Sequence, residues 1–114
     1  MALNELNRKK AEKILVQFCE EKVPKHVRNQ YRLSFKFLGN SVNLIEERPH
    51  YKDKDTWMSH IVAQFRYEQE TNLWSVYWKR HTGKWLMYDE IIPNSNFEEV
   101  LKEVDEDKLG IFWG

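Results

Sequence analysis

Residues 57–88 read WMSHIVAQFRYEQETNLWSVYWKRHTGKWLMY and hold four of the five tryptophans in the chain. Polar and apolar positions alternate along much of this stretch, which is the period of half-buried strands. The spacing predicts three antiparallel strands over 57–68, 73–81 and 84–90. Their connections would be about four residues (69–72) and two residues (Thr82-Gly83). Both connections are even in length, so side chains should cross each turn without changing face. That register pairs Val76 with Phe65, Trp78 with Ala63 and Met87, and Arg80 with Trp85. One face then collects Trp57, Ile61, Ala63, Phe65, Tyr67, Trp74, Val76, Trp78, Trp85 and Met87. Such a face demands a cover.

The flanking sequence supplies it. Residues 31–48 read as a hairpin about Gly39-Asn40, where a primed turn needs positive φ at its centre. Leu33, Phe35, Phe37, Val42 and Leu44 extend the apolar face, and Pro49 ends the second strand by removing a ladder donor. Upstream, Leu3, Ala11, Ile14, Leu15, Phe18 and Cys19 form one helical stripe over about 5–22. Asn4 or Asn7 is the N-cap candidate, and Pro24 is the stop. Downstream, Ser95-x-x-Glu98 has the form of a capping box for a helix over about 96–106. Phe97, Val100, Leu101 and Val104 make its buried stripe, and Gly110 is available for a left-handed stop. The terminal IFWG is apolar and should dock back on the core or across a partner. The expected fold is a single α+β domain, residues 1–114. It is a two-layer α-β-β-β-β-β-α arrangement, with a five-stranded antiparallel meander and both helices on one face.

Composition narrows the function classes. Lys plus Arg (18) equals Asp plus Glu (18), and this balance counts against a dedicated nucleic-acid binder while favouring self-association. The lone Cys19 lies on a helical stripe, so it reads as inert core, and no Cys/His set has zinc spacing. No run approaches the roughly 18 apolar residues of a membrane span. The first residues, MALNELNRKKAEK, lack the apolar run of a signal peptide. A cytoplasmic setting without membrane contact is therefore the expectation.

The face of the sheet opposite the helices is the candidate for chemistry. The register places Lys36, Asn43, Ile45, Glu47, Met58, His60, Val62, Gln64, Arg66, Ser75, Tyr77, Lys79, His81, Lys84, Leu86, Tyr88 and Glu90 there. Tyr77 and Tyr88 would be cross-strand neighbours beside Arg66 and Lys79. Rings interleaved with cations are the pattern of single-strand nucleic-acid platforms and of protein interfaces. The first reading is a binding or interaction module with a protein partner, a second copy included. The alternative is a single-stranded nucleic-acid binder. A second alternative is a small enzyme using Glu47, Arg48, His50 and His60, near the end of the second strand. No cofactor or metal is expected. Asp53 and Asp55, in the polar loop 49–56, lack the glycine and glutamate of a calcium loop. A structural role is also open to Arg48, as a cation meeting the chain-end carboxylate of Gly114.

The segments GNSVNLIEERP (39–49), VAQFRY (62–67), LWSVYWKR (73–80), KWLMY (84–88) and EEVLKEVDEDKLGIFWG (98–114) together resemble a small bacterial family, domain of unknown function 3024. The resemblance covers nearly the whole chain. Glu47-Arg48-Pro49 and Gly110-Ile111-Phe112-Trp113-Gly114 are its most specific parts. It implies a small cytoplasmic bacterial protein, often a single domain, and it implies no activity, cofactor or catalytic residue.

Overall fold

The computed structural model describes residues 4–113. Its elements run α1 (Glu5–Lys22), a 3-10 turn (Lys25–Val27), β1 (Arg32–Leu38), β2 (Ser41–Pro49), β3 (Trp57–Glu68), β4 (Leu73–Lys79), β5 (Trp85–Met87) and α2 (Phe97–Glu106). The strands form one sheet in the order β1-β2-β3-β4-β5, each antiparallel to its neighbour. This is the expected meander. No helix among the described residues is long and apolar enough to cross a membrane.

Asn4 is the N-cap of α1: its side-chain oxygen accepts from the Asn7 N–H at 2.9 Å. The helix stops at Val23, immediately before Pro24. Ala11 and Leu15 are fully buried, while Ile14, Phe18 and Cys19 pack around them. Leu3, expected on the same stripe, lies outside the described residues. Burial, helped by Glu20, pushes the Cys19 thiol up to about 11, so it stays protonated at neutral pH.

Both helices cover one face, α1 over the β1 side and α2 over the β4 side. Between them and the sheet lie Val42, Leu44, Ala63, Phe65 and Val76, all without solvent exposure. Phe97 on α2 meets Phe65 and Trp74 edge-on, with ring centroids 5.0 and 4.8 Å apart. The expected stripe of α2 is buried as read, but its N-cap is Asn96. The Asn96 side chain accepts from the Glu98 N–H at 3.0 Å, so the helix begins one residue later than a Ser95 capping box would place it.

Two departures change which residues lie on which face. The pairing of β2 with β3 shifts between Leu44↔Ala63 and Ile45↔Ile61, so β3 carries one extra residue at Val62. Below that bulge the alternation inverts. Ile61 and Trp57 pass to the open face, while His60 and Met58 pass to the helix side, opposite Glu46 and Arg48. The second departure is the β4–β5 turn. The Arg80 N–H donates to the Lys84 carbonyl, enclosing three residues, and Gly83 stands at φ 92°. An odd loop reverses parity. The observed pairs are Tyr77↔Met87, Trp78↔Leu86 and Lys79↔Trp85, one residue from the expected register. Trp85 and Met87 therefore face away from the helices. Tyr88 turns inward, is buried, and packs against Phe112 with centroids 5.0 Å apart.

The tail docks through residues 111–113. Asp107 ends α2 in the left-handed region at φ 45°. Its carboxylate accepts from the N–H groups of Ile111 (2.8 Å), Phe112 (3.2 Å) and Trp113 (2.9 Å). The indole N–H of Trp113 donates to the Val104 carbonyl at 2.9 Å. Burial raises the Asp107 pKa, but the donated N–H bonds outweigh it and hold the carboxyl below its ordinary value. The suggested contact of Arg48 with the Gly114 carboxylate lies outside the described residues. Arg48 pairs with Glu46 at 3.6 Å and lies over the Tyr31 ring.

Candidate binding surface on the open sheet face

With both helices on one side, strand alternation assigns the other face. It includes Arg32, Ser34, Lys36 and Leu38 from β1; Ser41, Asn43, Ile45, Glu47 and Pro49 from β2; Trp57, Ser59, Ile61, Gln64, Arg66 and Glu68 from β3; Leu73, Ser75, Tyr77 and Lys79 from β4; and Trp85 and Met87 from β5. Three cation–ring pairs cross this face. Arg32 lies over Trp57 at 3.8 Å from guanidinium carbon to ring centroid, and Arg66 lies over Tyr77 at 3.8 Å. Lys79 sits 5.8 Å from the centre of Trp85, its cross-strand partner. Each pair joins an electron-rich ring face to a cation.

Beside the Arg66–Tyr77 pair runs a hydrogen-bonded line. The Arg66 Nε donates to Gln64 Oε1 at 2.5 Å, and Gln64 Nε2 donates to Asn43 Oδ1 at 2.8 Å. Gln64 and Asn43 are only 8% and 6% exposed, although no helix covers this side. Neighbouring side chains bury them. The Gln64 bond fixes the plane of the Arg66 guanidinium, which is thereby pre-oriented for a carboxylate or phosphate.

Arg66, Tyr77 and Lys79 come together as expected. Tyr88 does not join them, because the odd turn sends it inward. Glu47 is on the open face and accepts from the Ser34 hydroxyl at 3.5 Å, whereas the neighbouring Arg48 points to the helix side. His50 serves the loop after β2. Its Nδ1 accepts from the N–H groups of Lys52 (3.1 Å) and Asp53 (3.4 Å), and its ring stacks on Tyr51 at 4.8 Å. His60 is exposed on the helix side, opposite Glu46. Glu46 is engaged by the Tyr31 hydroxyl at 2.7 Å. Burial, and then this bond, push that hydroxyl up to about 12. The four residues are thus divided: Glu47 lies on the open face, Arg48 and His60 flank Glu46 on the helix side, and His50 serves the loop.

Sequence reasoning missed Arg32, Ser34, Ser59, Ile61, Trp57, Trp85 and Met87 as members of the face. A signal for the last two was present. Gly83 closing Arg-His-Thr-Gly fits a three-residue hairpin loop with glycine in the left-handed position as well as it fits a two-residue turn. Nothing in the sequence around Val62 announces the bulge. Among the described residues no cluster of His, Cys, Asp or Glu is arranged to hold a metal ion.

The class these features define is a two-layer α+β protein with an open antiparallel sheet face. The chain belongs to the family described as domain of unknown function (DUF3024), whose model matches residues 3–114. Comparison with curated proteins and with solved structures finds no match.

Proposed function

We propose that this chain is a binding module whose recognition surface is the open sheet face and whose partner is a protein. The observation that carries the reading is the row of cation–ring pairs, Arg32–Trp57, Arg66–Tyr77 and Lys79–Trp85. Trp, Tyr, Met and Arg are the residue types enriched at protein interfaces and in their hot spots. This face combines them with Ile45, Ile61 and the exposed Met87. The oriented guanidinium groups favour a partner that presents carboxylates beside apolar groups. The module is proposed to work in a bacterial cytoplasm.

The test is affinity capture from extract, comparing the native chain with the double variant Tyr77→Ser/Trp85→Ser. A partner retained by the native chain and lost from the variant supports the reading. A partner retained equally by both overturns it.

Single-stranded nucleic acid is the second reading, favoured by the face's charge. Arg32, Lys36, Arg66 and Lys79 lie there against Glu47 and Glu68. Trp57 and Trp85 would report an oligonucleotide by quenching that weakens as salt rises. Quenching absent at low salt removes this reading.

A further inference from the structure

The two edges of the sheet are unequal. β5 spans only Trp85–Met87, and a short edge strand offers little for another chain to pair with. β1, at the other edge, spans Arg32–Leu38 without a proline, and its pairing with β2 shows no bulge. Leu38 and Ser41 close the hairpin, and ladder bonds alternate along an antiparallel pair. Arg32, Ser34, Lys36 and Leu38 therefore bond inward to β2. The N–H and C=O groups of Leu33, Phe35 and Phe37 point outward, past the end of the sheet. Beside this edge runs a groove of about 410 Å³ between α1 and β1, whose apolar lining, Val16, Cys19, Val23, Leu33 and Phe35, is rimmed by polar and charged side chains.

We infer that β1 is the self-association edge, pairing antiparallel with β1 of a second copy about a two-fold axis at Phe35. The charges on β1 select this register. Centred on Phe35, all seven residues pair, with Ser34 opposite Lys36 and Arg32 opposite Leu38. Centred one residue earlier, Arg32 faces Lys36; centred one residue later, Lys36 faces Lys36. Like charges directly opposite each other destabilise a strand pair, so the flanking registers are disfavoured. Edge lysines normally guard against pairing, but Lys36 here excludes the wrong registers and permits one. In that register Leu33, Phe35 and Phe37 of both copies stay on the helix side, and the two sheets become continuous.

The same axis runs the two α1 helices antiparallel across the join. Arg8, Lys9, Lys10 and Lys13 fall in the first half of α1, and Glu20 and Glu21 in the second, with Glu5, Glu12 and Lys22 as exceptions. Antiparallel helices bring the basic half of one copy beside the acidic half of the other. Val16, 43% exposed on the groove, gains a cover. A second copy fits this edge by register, by charge and by the groove.

The test is the oligomeric state by sedimentation equilibrium. Ser34 is half-buried on the open face, where a lysine is accommodated beside Glu47. Ser34→Lys places a lysine opposite Lys36 of the other copy twice, once on each side of the axis. It should raise the dimer dissociation constant by about tenfold. Adding Lys36→Glu converts both repulsions into attractions and should restore the dimer. Hydrogen exchange should show the Leu33, Phe35 and Phe37 amides protected in the dimer and exposed on dilution. A monomer at every concentration overturns the inference, as does a dimer indifferent to Ser34→Lys. A dimer broken by Tyr77→Ser/Trp85→Ser but not by Ser34→Lys overturns it as well, and assigns self-association to the open face.

Discussion

The two faces of one sheet are stabilised by different physics. On the helix side, Val42, Leu44, Phe65 and Val76 are fully buried, and non-directional apolar burial dominates. On the open side, order comes from directional contacts: guanidinium on ring, amide on amide, lysine beside indole. The first arrangement sets whether the chain folds. The second sets what surface the folded chain presents, at small cost to stability.

Substitutions should separate the two. The largest effect is expected for Phe65→Ala, which empties a site bounded by Phe97 and the sheet. It should cost about 3–5 kcal/mol in urea unfolding. Against a typical domain stability of about 5–15 kcal/mol, that is a large share. On the open face, Gln64→Ala strands the buried Asn43 amide and frees Arg66, for about 1–2 kcal/mol. A cost as large as that of Phe65→Ala would collapse the contrast between the faces.

Asp107→Asn should cost about 1 kcal/mol at neutral pH, through weaker acceptance of the tail N–H groups. The sign of its pH dependence follows from the depressed pKa. The stabilisation is fully present above the ordinary value of 3.8 and is lost as pH falls through the lower folded value. The native chain should therefore lose stability on acidification more steeply than the variant, as read by melting temperature across that range. Equal slopes would show that the carboxylate charge does not hold the tail. The smallest effect is expected for Arg66→Ala, about 0.5 kcal/mol, since a single half-buried cation–ring pair is worth little. The same change should sharply reduce partner retention, and that pairing of outcomes is the clearest mark of a face kept for recognition.

The same contrast governs what was legible in the sequence. Helix stripes and the alternation of Leu33, Phe35, Phe37, Val42 and Leu44 follow from burial, which leaves a period, and those elements stand as read. The open face depends on counting. One extra residue at Val62 and one more residue in the β4–β5 turn moved Trp57, Trp85 and Met87 outward and Tyr88 inward. Period-two patterns are blind to such shifts when both faces carry large side chains, as they do here. Asn96 displaced Ser95 at the α2 cap for a similar reason, since adjacent residues both able to cap leave the choice to the incoming chain. The candidate site was thus half legible. Arg66, Tyr77 and Lys79 share strands with a correct register, whereas the indole ends of the row lay beyond the two slips.

The turn at His81-Thr82-Gly83 gives the chain an evolutionary lever. A single codon gained or lost there would exchange the residues β5 offers to a partner, presenting Leu86 and Tyr88 in place of Trp85 and Met87. That exchange would also pull Tyr88 away from Phe112, so the tail acts against it. Changes of two codons would leave both arrangements intact. Homologous chains should therefore vary this turn in steps of two, and a lineage that breaks the step should show a rebuilt C-terminal segment.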